Sequence, residues 1–151
     1  MNEQTCSIEL VSNQTVASLT TLSLELWPDC NYDEEKSQWE ELIHAQDHYC
    51  ALAKMNHEYV GFIHISIRYD YVEGAESNTT AYVEGIYVRS AYRKKQIATA
   101  LLSSGEVWAK SKGLHQLASD TEVDNQISQL FHQQLGFTEV NRIVCFIKTI
   151  Q

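Results

Sequence analysis

Proline, glycine and long apolar stretches are all scarce in this sequence. One proline and six glycines in 151 residues, with 44% hydrophobic residues, indicate a globular rather than a disordered chain. We therefore predict a single globular domain over residues 1–151. No apolar run reaches the length of a membrane span, so no membrane partner is expected. The first residues lack the basic and apolar regions of a signal peptide, which predicts a cytoplasmic protein.

Paired cysteine motifs are missing as well. Cys6, Cys30, Cys50 and Cys145 are scattered along the chain, and no two of them form a Cys-x-x-Cys pair. An extracellular disulfide framework is conceivable with four cysteines, but without a signal peptide the pattern favours reduced thiols. The same spacing predicts no metal site.

Basic residues are few, and they are unevenly distributed. The chain has 11 Lys and Arg against 20 Asp and Glu, a formal net charge of −9, which argues against nucleic acid as a partner. Four of the 11 basic residues nevertheless lie between Arg89 and Lys95. A small basic region in an acidic chain indicates an anionic cofactor next to a site that attracts cations.

The hydrophobic patterning predicts an α/β fold with the element order β-α-α-β-β-β-α-β-α-β-β. The expected strands are 7–10, 48–54, 59–69, 81–88, 116–120, 137–141 and 143–149, and a hairpin turn around Met55-Asn56-His57 should join the second strand to the third. Helices are expected over 16–26, from 33 onward, over 97–110 and over 125–135. Pro28 should end the first helix, and the glycines at 113 and 136 should end the last two.

The most informative segment joins the strand ending at Val88 to the helix starting near Ile97. A basic loop at such a junction presents cations and free helix N–H groups, which suit a phosphate-rich ligand, although a solvated helix start is the alternative. The run Arg93-Lys94-Lys95-Gln96-Ile97-Ala98 resembles the Arg/Gln-x-x-Gly-x-Gly/Ala signature of the GCN5-related N-acetyltransferases. In that family the loop holds the pyrophosphate of acetyl-coenzyme A.

This resemblance implies a cofactor site and a fold. The pyrophosphate would be held by Arg93, Lys94, Lys95 and the backbone from Gln96 through Ile97 and Ala98 to Thr99. The fold would be α+β, with a mixed, mostly antiparallel sheet splayed at a central strand and about four flanking helices. Gln96 replaces the usual glycine, so we expect it to adopt a negative φ with its side chain turned away, or the loop to hold the cofactor less tightly.

Gly85 interrupts an otherwise strong strand, and such a glycine often marks a bulge or a close backbone approach. Family members have a bulge at this place, which implies that the pantetheine arm pairs with the backbone of Ile86, Tyr87 and Val88. It also implies that Glu84 points toward the acceptor amine. The alternative for Glu84 is an exposed strand carboxylate without a role.

Two further groups are candidates near the end of the chain. Asp120 ends a strand and could hold an ammonium group, while Asn125 could reach the cofactor amide; Asp120 or Thr121 could instead cap the next helix. His132 stands where family members often have a tyrosine that protonates the departing thiolate. An imidazole can transfer a proton near neutral pH, but a lone helical histidine is more often a bystander.

Several segments together resemble the aminoglycoside 6'-N-acetyltransferases, over essentially the whole chain. They are Leu26-Trp27-Pro28, Ser66-Ile67-Arg68-Tyr69-Asp70-Tyr71-Val72, Glu84-Gly85-Ile86, Ala118-Ser119-Asp120, and His132 followed by Leu135-Gly136-Phe137. The resemblance implies a drug pocket lined by Trp27, Tyr71, Glu84 and Asp120. A further acidic pocket position of the group falls at Asn141, which is neutral here.

The resemblance implies an enzyme that transfers acetyl from acetyl-coenzyme A to the 6'-amine of aminoglycosides, and a homodimer. Glu84 or Asp120 would help deprotonate the amine, and His132 is a candidate acid. No nucleophilic serine or cysteine motif occurs, which favours direct transfer in a ternary complex. The alternatives are an acetyltransferase for another amine, such as a polyamine or a protein N-terminus, and a non-catalytic acyl-coenzyme A sensor.

Overall fold

The structure is a computed structural model and describes residues 5–151. Its secondary-structure elements follow the chain in this order: β1 Cys6–Leu10, α1 Val16–Leu26, α2 Tyr32–Leu42, β2 His48–Met55, β3 Glu58–Arg68, β4 Thr80–Val88, α3 Ile97–Ser111, β5 Leu117–Ala118 and α4 Gln126–Gln134. A single 3₁₀ turn, Ser90–Tyr92, lies between β4 and α3.

The five strands form one sheet in the order β1-β2-β3-β4-β5. The first three pairs are antiparallel, and β4 with β5 is the parallel pair. The hairpin predicted around Met55-Asn56-His57 is confirmed, because Asn56 and His57 both have positive φ, as a tight hairpin turn requires. The mixed, mostly antiparallel sheet with four helices agrees with the predicted fold class.

Helix ends follow the expected chemistry. Helix α1 ends at Leu26, two residues before Pro28, whose ring cannot continue a helix. Helix α2 begins after Asn31, whose side chain accepts hydrogen bonds from the N–H groups of Asp33 and Glu34. None of the described helices combines the length and the apolar character that a membrane crossing requires.

Both faces of the sheet are covered. Helix α3 packs on one face, where Leu101 and Ile97 meet the buried side chains of Ile63 and Ile65. Helices α1 and α2 cover the other face around Phe62, which is fully buried. Burial of these aliphatic and aromatic side chains is the main stabilising contribution, at about 25 cal/mol per Å² of apolar surface.

A β-bulge interrupts the ladder between β3 and β4 at the expected place. His64 pairs with Gly85 and Ile65 pairs with Val83, so Glu84 is the extra residue on β4. The bulge therefore distorts β4 locally at Glu84 and Gly85. The prediction of a bulge in this segment is confirmed.

Strands β4 and β5 stay together for only two residue pairs. Ala81 pairs with Leu117 and Tyr82 with Ala118, and β5 ends there. The edge of β4 beyond Tyr82 that faces away from β3 has no strand partner within residues 5–151. This separation is the splay expected for the central strand, and it leaves backbone groups accessible.

The C-terminal segment corrects the predicted order of elements. Strands were expected over 137–141 and 143–149, but residues 137–151 form neither helix nor strand. A strand requires a neighbouring strand for its backbone hydrogen bonds, and no described strand of this chain lies beside this segment. The prediction of two C-terminal strands was therefore wrong for this structure, although the segment is rich in apolar residues as expected.

Candidate active site

Glu84 lies at the bulge and is held by two side chains of β3. The Ser66 hydroxyl donates to its Oε1 at 2.6 Å, and Arg68 donates from Nε and Nη2 to its two carboxylate oxygens, each at 2.9 Å. Burial alone would raise the pKa of Glu84, but the hydrogen bonds from Arg68 and Ser66 outweigh it and lower the pKa. Glu84 is therefore a fixed anion and a weak base.

Arg68 links Glu84 to a second carboxylate. Its guanidinium lies 3.4 Å from the ring centroid of Tyr82, and the Tyr82 hydroxyl donates a short hydrogen bond to Asp120. Burial and this hydrogen bond raise the pKa of Tyr82, which stays a neutral donor. Asp120 itself is exposed, and its other oxygen has no hydrogen-bond partner in the described part of the chain.

Sequence reasoning missed Ser66, Arg68 and Tyr82, although a signal for them was present. Ser66 and Arg68 occupy alternate positions of β3, so both point to one face, and Tyr82 pairs directly with Ser66 across the ladder. A serine and an arginine at the end of a strong apolar strand require a polar partner. The glutamate at the bulge is that partner.

Trp27 lies against the bulge from the end of α1. A Cβ atom on Gly85 would come within 2.6 Å of the Trp27 ring, which explains why a residue without a side chain is needed there. The ring also packs on Phe62, with centroids 6.1 Å apart. Trp27 is half-buried, so part of its ring remains available beside Glu84.

Tyr71 and Asn141 meet through a residue that was not predicted. The Tyr71 hydroxyl donates to Glu73 at 2.8 Å, and the Asn141 amide donates to the other oxygen of Glu73 at 2.6 Å. Tyr71 is 75% exposed, on the loop that follows β3. Asn141 therefore orients an acidic residue, at a position where the aminoglycoside acetyltransferases that the sequence resembles have an acid and this chain is neutral.

The loop before α3 differs from the prediction at Gln96. A negative φ was expected, but Gln96 has φ 59° and ψ 21°, a left-handed conformation, and Lys94 has φ 61°. The chain thus keeps the backbone shape that glycine usually supplies and adopts it with a side chain present. The expectation of negative φ was wrong because the turn geometry overrides the local preference of glutamine.

The first N–H groups of α3 are available for an anion. No side chain caps the helix, and the N–H groups of Ile97, Ala98 and Thr99 have no acceptor within the residues described. Helix α3 has 15 residues, so its positive dipole end lies in the basic loop. These are the groups predicted to hold phosphate.

The basic residues of this region have different partners. Arg89 forms ion pairs with Glu25 of α1 at 2.7 Å and with Glu58 of β3 at 3.1 Å. It therefore has a structural role, linking α1 to β3. Arg93 donates to the Val88 carbonyl at 2.9 Å and thereby fixes the turn out of β4. The Lys95 ammonium lies 5.5 Å from the ring centroid of Tyr92.

The end of β4 beyond the bulge carries the predicted pantetheine positions Ile86, Tyr87 and Val88. The side chain of Ile86 packs toward α3, and that of Tyr87 toward α1, where its hydroxyl donates to Glu25 at 3.0 Å. Since the β5 side of this stretch is unpaired, its backbone can still form hydrogen bonds.

His132 and Asn125 both have structural partners. The Nδ1 of His132 lies 2.7 Å from the Ser128 carbonyl, so it carries the proton, and Nε2 accepts from the Ser119 hydroxyl at 2.7 Å. Asn125 caps α4 by accepting from the Ser128 N–H at 3.1 Å, so the cap expected at Asp120 or Thr121 is at Asn125 instead. Ser119 is a further residue that sequence reasoning missed.

No group of three or more His, Cys, Asp or Glu side chains with the geometry of a metal site occurs among the described residues. The model of the acetyltransferase (GNAT) family matches residues 13–137. The chain belongs to this family. The resemblance read from the basic loop is thereby confirmed, and the departure from the family's glycine at Gln96 is accommodated by the left-handed backbone.

Two relatives of this GNAT chain have the same name. An aminoglycoside N(6')-acetyltransferase type 1 from Serratia marcescens is 33% identical over 144 residues, which cover 95% of this chain and 99% of the relative. A protein of the same name from Acinetobacter genomosp. 13 is 39% identical over 142 residues, covering 93% and 96%.

Solved structures agree with this GNAT fold. The aminoglycoside antibiotic 6'-N-acetyltransferase AAC(6')-Ih from Acinetobacter baumannii is 36% identical with a TM-score of 0.93, covering 97% of this chain and all 100% of that one. AAC(6')-Iy in complex with a bisubstrate analog, CoA-S-monomethyl-acetylneamine, is 32% identical with a TM-score of 0.92, covering 97% and 99%.

Proposed function

We propose that this chain transfers the acetyl group of acetyl-coenzyme A to the 6'-amine of aminoglycosides and so confers resistance to them. The observation that carries the proposal is the linked pair of carboxylates, Glu84 and Asp120, joined through Arg68 and Tyr82 at the splayed edge of β4. The names of the relatives and the bisubstrate complex of AAC(6')-Iy support this substrate and co-substrate.

The acceptor side of the site suits a polycationic sugar. Asp120 is exposed and still has one carboxylate oxygen to accept from an ammonium group, while Glu84 supplies fixed negative charge. Trp27 offers a partly exposed ring on which a sugar face or an ammonium group can rest. Tyr71 and Glu73 extend the same character onto the neighbouring loop.

The co-substrate side uses the helix start. Lys94, Lys95 and the N–H groups of Ile97 to Thr99 hold the pyrophosphate, and the pantetheine arm lies along the unpaired edge from Ile86 to Val88. Asn125, with its carbonyl oxygen engaged in the helix cap, has only its NH₂ group left for the cofactor.

Transfer is direct. The amine first loses its extra proton to water or to one of the two carboxylates; the lowered pKa of Glu84 makes that residue a weak base. The amine nitrogen then attacks the thioester carbonyl carbon and a C–N bond forms, the nitrogen gives up its second proton to water, and the C–S bond breaks with the electron pair leaving on the sulfur. A backbone N–H of Tyr87 or Val88 stabilises the developing oxyanion.

The departing thiolate takes up one proton. His132 can supply it only after Nε2 has gained a proton in place of its hydrogen bond from Ser119.

The proposed enzyme is a cytoplasmic homodimer. The four cysteines are free, which fits a reducing compartment.

The test measures coenzyme A release with neomycin, which has a 6'-amine, and with paromomycin, which has a hydroxyl there. We expect turnover with neomycin and loss of at least 100-fold with paromomycin, since the hydroxyl is a weaker nucleophile. Spermidine and a peptide N-terminus test the other amine classes. Faster turnover with either of them than with neomycin would overturn the substrate assignment.

The acceptor variants refine the test. Asp120→Asn should lower kcat/KM for neomycin at least 100-fold without changing the KM for acetyl-coenzyme A, since a paired charge is lost on one side only. Glu84→Gln should lower it as well and leave Arg68 without its anion. Glu76→Gln, on the loop after β3, is the matched control and should leave both constants unchanged. Near-normal activity in both acceptor variants would refute their role.

A further inference from the structure

Arg68 is a cation inside a site that is proposed to bind cations. It pairs with Glu84 and stacks on the ring of Tyr82, whose hydroxyl donates to Asp120. Its positive charge therefore lies beside both carboxylates and weakens their attraction for every ammonium group. A neutral donor such as the Ser66 hydroxyl holds Glu84 without this cost, so the charge of Arg68 indicates a further role.

Most of the hydrogen-bonding capacity of Arg68 is unused. A guanidinium group has five N–H donors in one plane. The Nε–H and one N–H of Nη2 go to Glu84, each at 2.9 Å, and the remaining three have no acceptor among residues 5–151. Solvent reaches Nη1, because every buried side-chain nitrogen or oxygen of the described residues has a partner, and the side chain is 41% exposed. These three donors are therefore open to a ligand.

The free end of the guanidinium is held in a fixed position. Its side, formed by Nε and Nη2, is bound to both oxygens of Glu84, and its face lies 3.4 Å from the ring centroid of Tyr82. The unused N–H groups of Nη1 and Nη2 therefore point outward from the end of a rigid fork. Because the fork is ordered before a ligand arrives, little side-chain entropy is lost when these groups bind.

The charges around this free end select the kind of acceptor. A carboxylate on the ligand would be repelled by Glu84 and Asp120, and a second ammonium group would be repelled by Arg68 itself. A hydroxyl oxygen accepts hydrogen bonds without a net charge and meets neither repulsion. The arrangement therefore suits an ammonium group that has a hydroxyl group a few bonds away.

The phosphates of the co-substrate are not the acceptor. Arg68 pairs across the ladder with Thr80, the first residue of β4, whereas the basic loop follows Val88, the last residue of that strand. The free donors of Arg68 thus belong to the acceptor side of the site, beside Asp120.

We infer that Arg68 determines substrate specificity, because its free N–H groups donate to a sugar hydroxyl while the two carboxylates hold the neighbouring ammonium group. In an aminoglycoside with a 6'-amine this is the 4'-hydroxyl, on the ring carbon next to the one that bears the aminomethyl group. The inference rests on the proposed function and deepens it: the site selects amino sugars over polyamines and amino acids. One hydrogen bond to a charged, partly exposed donor corresponds to a preference of about tenfold.

Three drugs that differ by single hydroxyl groups provide the test. Tobramycin is kanamycin B without the 3'-hydroxyl, and dibekacin is tobramycin without the 4'-hydroxyl. Measured by coenzyme A release, kcat/KM should be about tenfold higher for tobramycin than for dibekacin. Kanamycin B, the control, should be within about twofold of tobramycin. Equal values for tobramycin and dibekacin would overturn the inference and leave the proposed function intact, whereas a chain that acetylates none of the three would overturn the proposed function.

Variants of Arg68 show whether this residue is the donor. Arg68→Met removes the N–H groups and Arg68→Lys removes the fork but keeps the charge, and both should lower turnover with all three drugs because Glu84 loses support. The ratio of kcat/KM for tobramycin to that for dibekacin cancels this general loss. It should fall from about ten to about one in Arg68→Met and below about three in Arg68→Lys, with the KM for acetyl-coenzyme A unchanged. A ratio that stays near ten in Arg68→Met would show that another group binds the hydroxyl, and would overturn the inference.

Lys54 offers a matched control variant. It also lies over a tyrosine ring, at 5.1 Å from the centroid of Tyr59, and pairs with a glutamate, Glu9, at 3.7 Å, but it lies on β2 next to the edge strand β1. Lys54→Met should therefore keep the parent ratio of tobramycin to dibekacin.

Spermidine tests the repulsion of a second ammonium group. It is measured as a competitive inhibitor of dibekacin acetylation, because dibekacin lacks the 4'-hydroxyl and reports on charge alone. The ratio of the inhibition constant of spermidine to the KM for dibekacin should fall at least fivefold in Arg68→Met, since the repelling cation is gone. An unchanged or higher ratio would contradict the selection against polyamines.

Discussion

The pH dependence of stability should be set largely by His64, a buried histidine behind the candidate active site. His64 is 7% exposed on β3, its Nε2 lies 2.9 Å from Nδ1 of His48, and its ring meets Trp39 edge-on at 5.0 Å. Burial, and then the nearby His48, lower its pKa from 6.5 to about 4, although Glu84 opposes the shift. His64 is therefore neutral in the folded protein at any physiological pH.

The size and sign of the effect follow from linkage. Above pH 6.5 His64 is neutral in both the folded and the unfolded chain. Its contribution to the free energy of unfolding is then at its full value. Between pH 6.5 and about 4 the unfolded chain binds a proton at His64 and the folded chain does not. The free energy of unfolding therefore falls as pH falls. The total is about 3 kcal/mol, at 1.36 kcal/mol per pKa unit, and most of it is lost by pH 4.5.

Urea unfolding followed by tryptophan fluorescence checks this, because Trp39 contacts the ring directly. The perturbation is His64→Gln, which does not titrate and can still bond to His48. Between pH 8 and pH 4.5 the parent should lose about 2.5 kcal/mol more than this variant, at one fixed protein concentration. His57→Asn, an exposed turn residue at positive φ, is the control and should follow the parent. Parallel curves for the parent and His64→Gln would refute the reasoning.

Three further predictions concern the cofactor loop and the bulge. Gln96→Gly should raise the free energy of unfolding by about 0.5–1 kcal/mol in urea titrations, because relief of the left-handed φ exceeds the glycine entropy, and a loss would contradict this. Lys94→Ala/Lys95→Ala should raise the KM for acetyl-coenzyme A at least tenfold at low salt with the KM for neomycin unchanged; equal constants would rule out the phosphate role. Gly85→Ala should displace the Trp27 ring, seen as altered fluorescence, and raise the KM for neomycin; an unchanged spectrum would show that the contact is not needed.

Most of the fold could be predicted from the sequence because its signals are local. The hairpin at Asn56 and His57, the stop at Pro28 and the apolar period of α3 each depend on neighbouring residues alone. Residues 137–151 were predicted wrongly, since an apolar pattern indicates a strand but does not show whether a neighbouring strand is available for its backbone hydrogen bonds.

The candidate site was predicted less completely for a related reason. Glu84 and Asp120 could be proposed because single motifs mark them, whereas Arg68 and Tyr82, which connect them, are distant in sequence and meet only across the ladder. Gln96 was misjudged because residue preference was weighed above the geometry of the turn. The role of a side chain that acts through a contact with a residue distant in sequence cannot be predicted from its own position alone.

Because of the bulge at Glu84, the residues of β4 that form the core are different from the residue proposed to act in the site. Before the bulge, the side chains of β4 that face α3 are Ala81 and Val83; after it they are Ile86 and Val88. The core-facing positions therefore have odd residue numbers before the bulge and even residue numbers after it. A chain lacking residue 84 would pair Gly85 directly after Val83 and leave these four side chains on the same face. The carboxylate is thus an insertion into a strand that is complete without it, and the core places no constraint on which residue occupies that position.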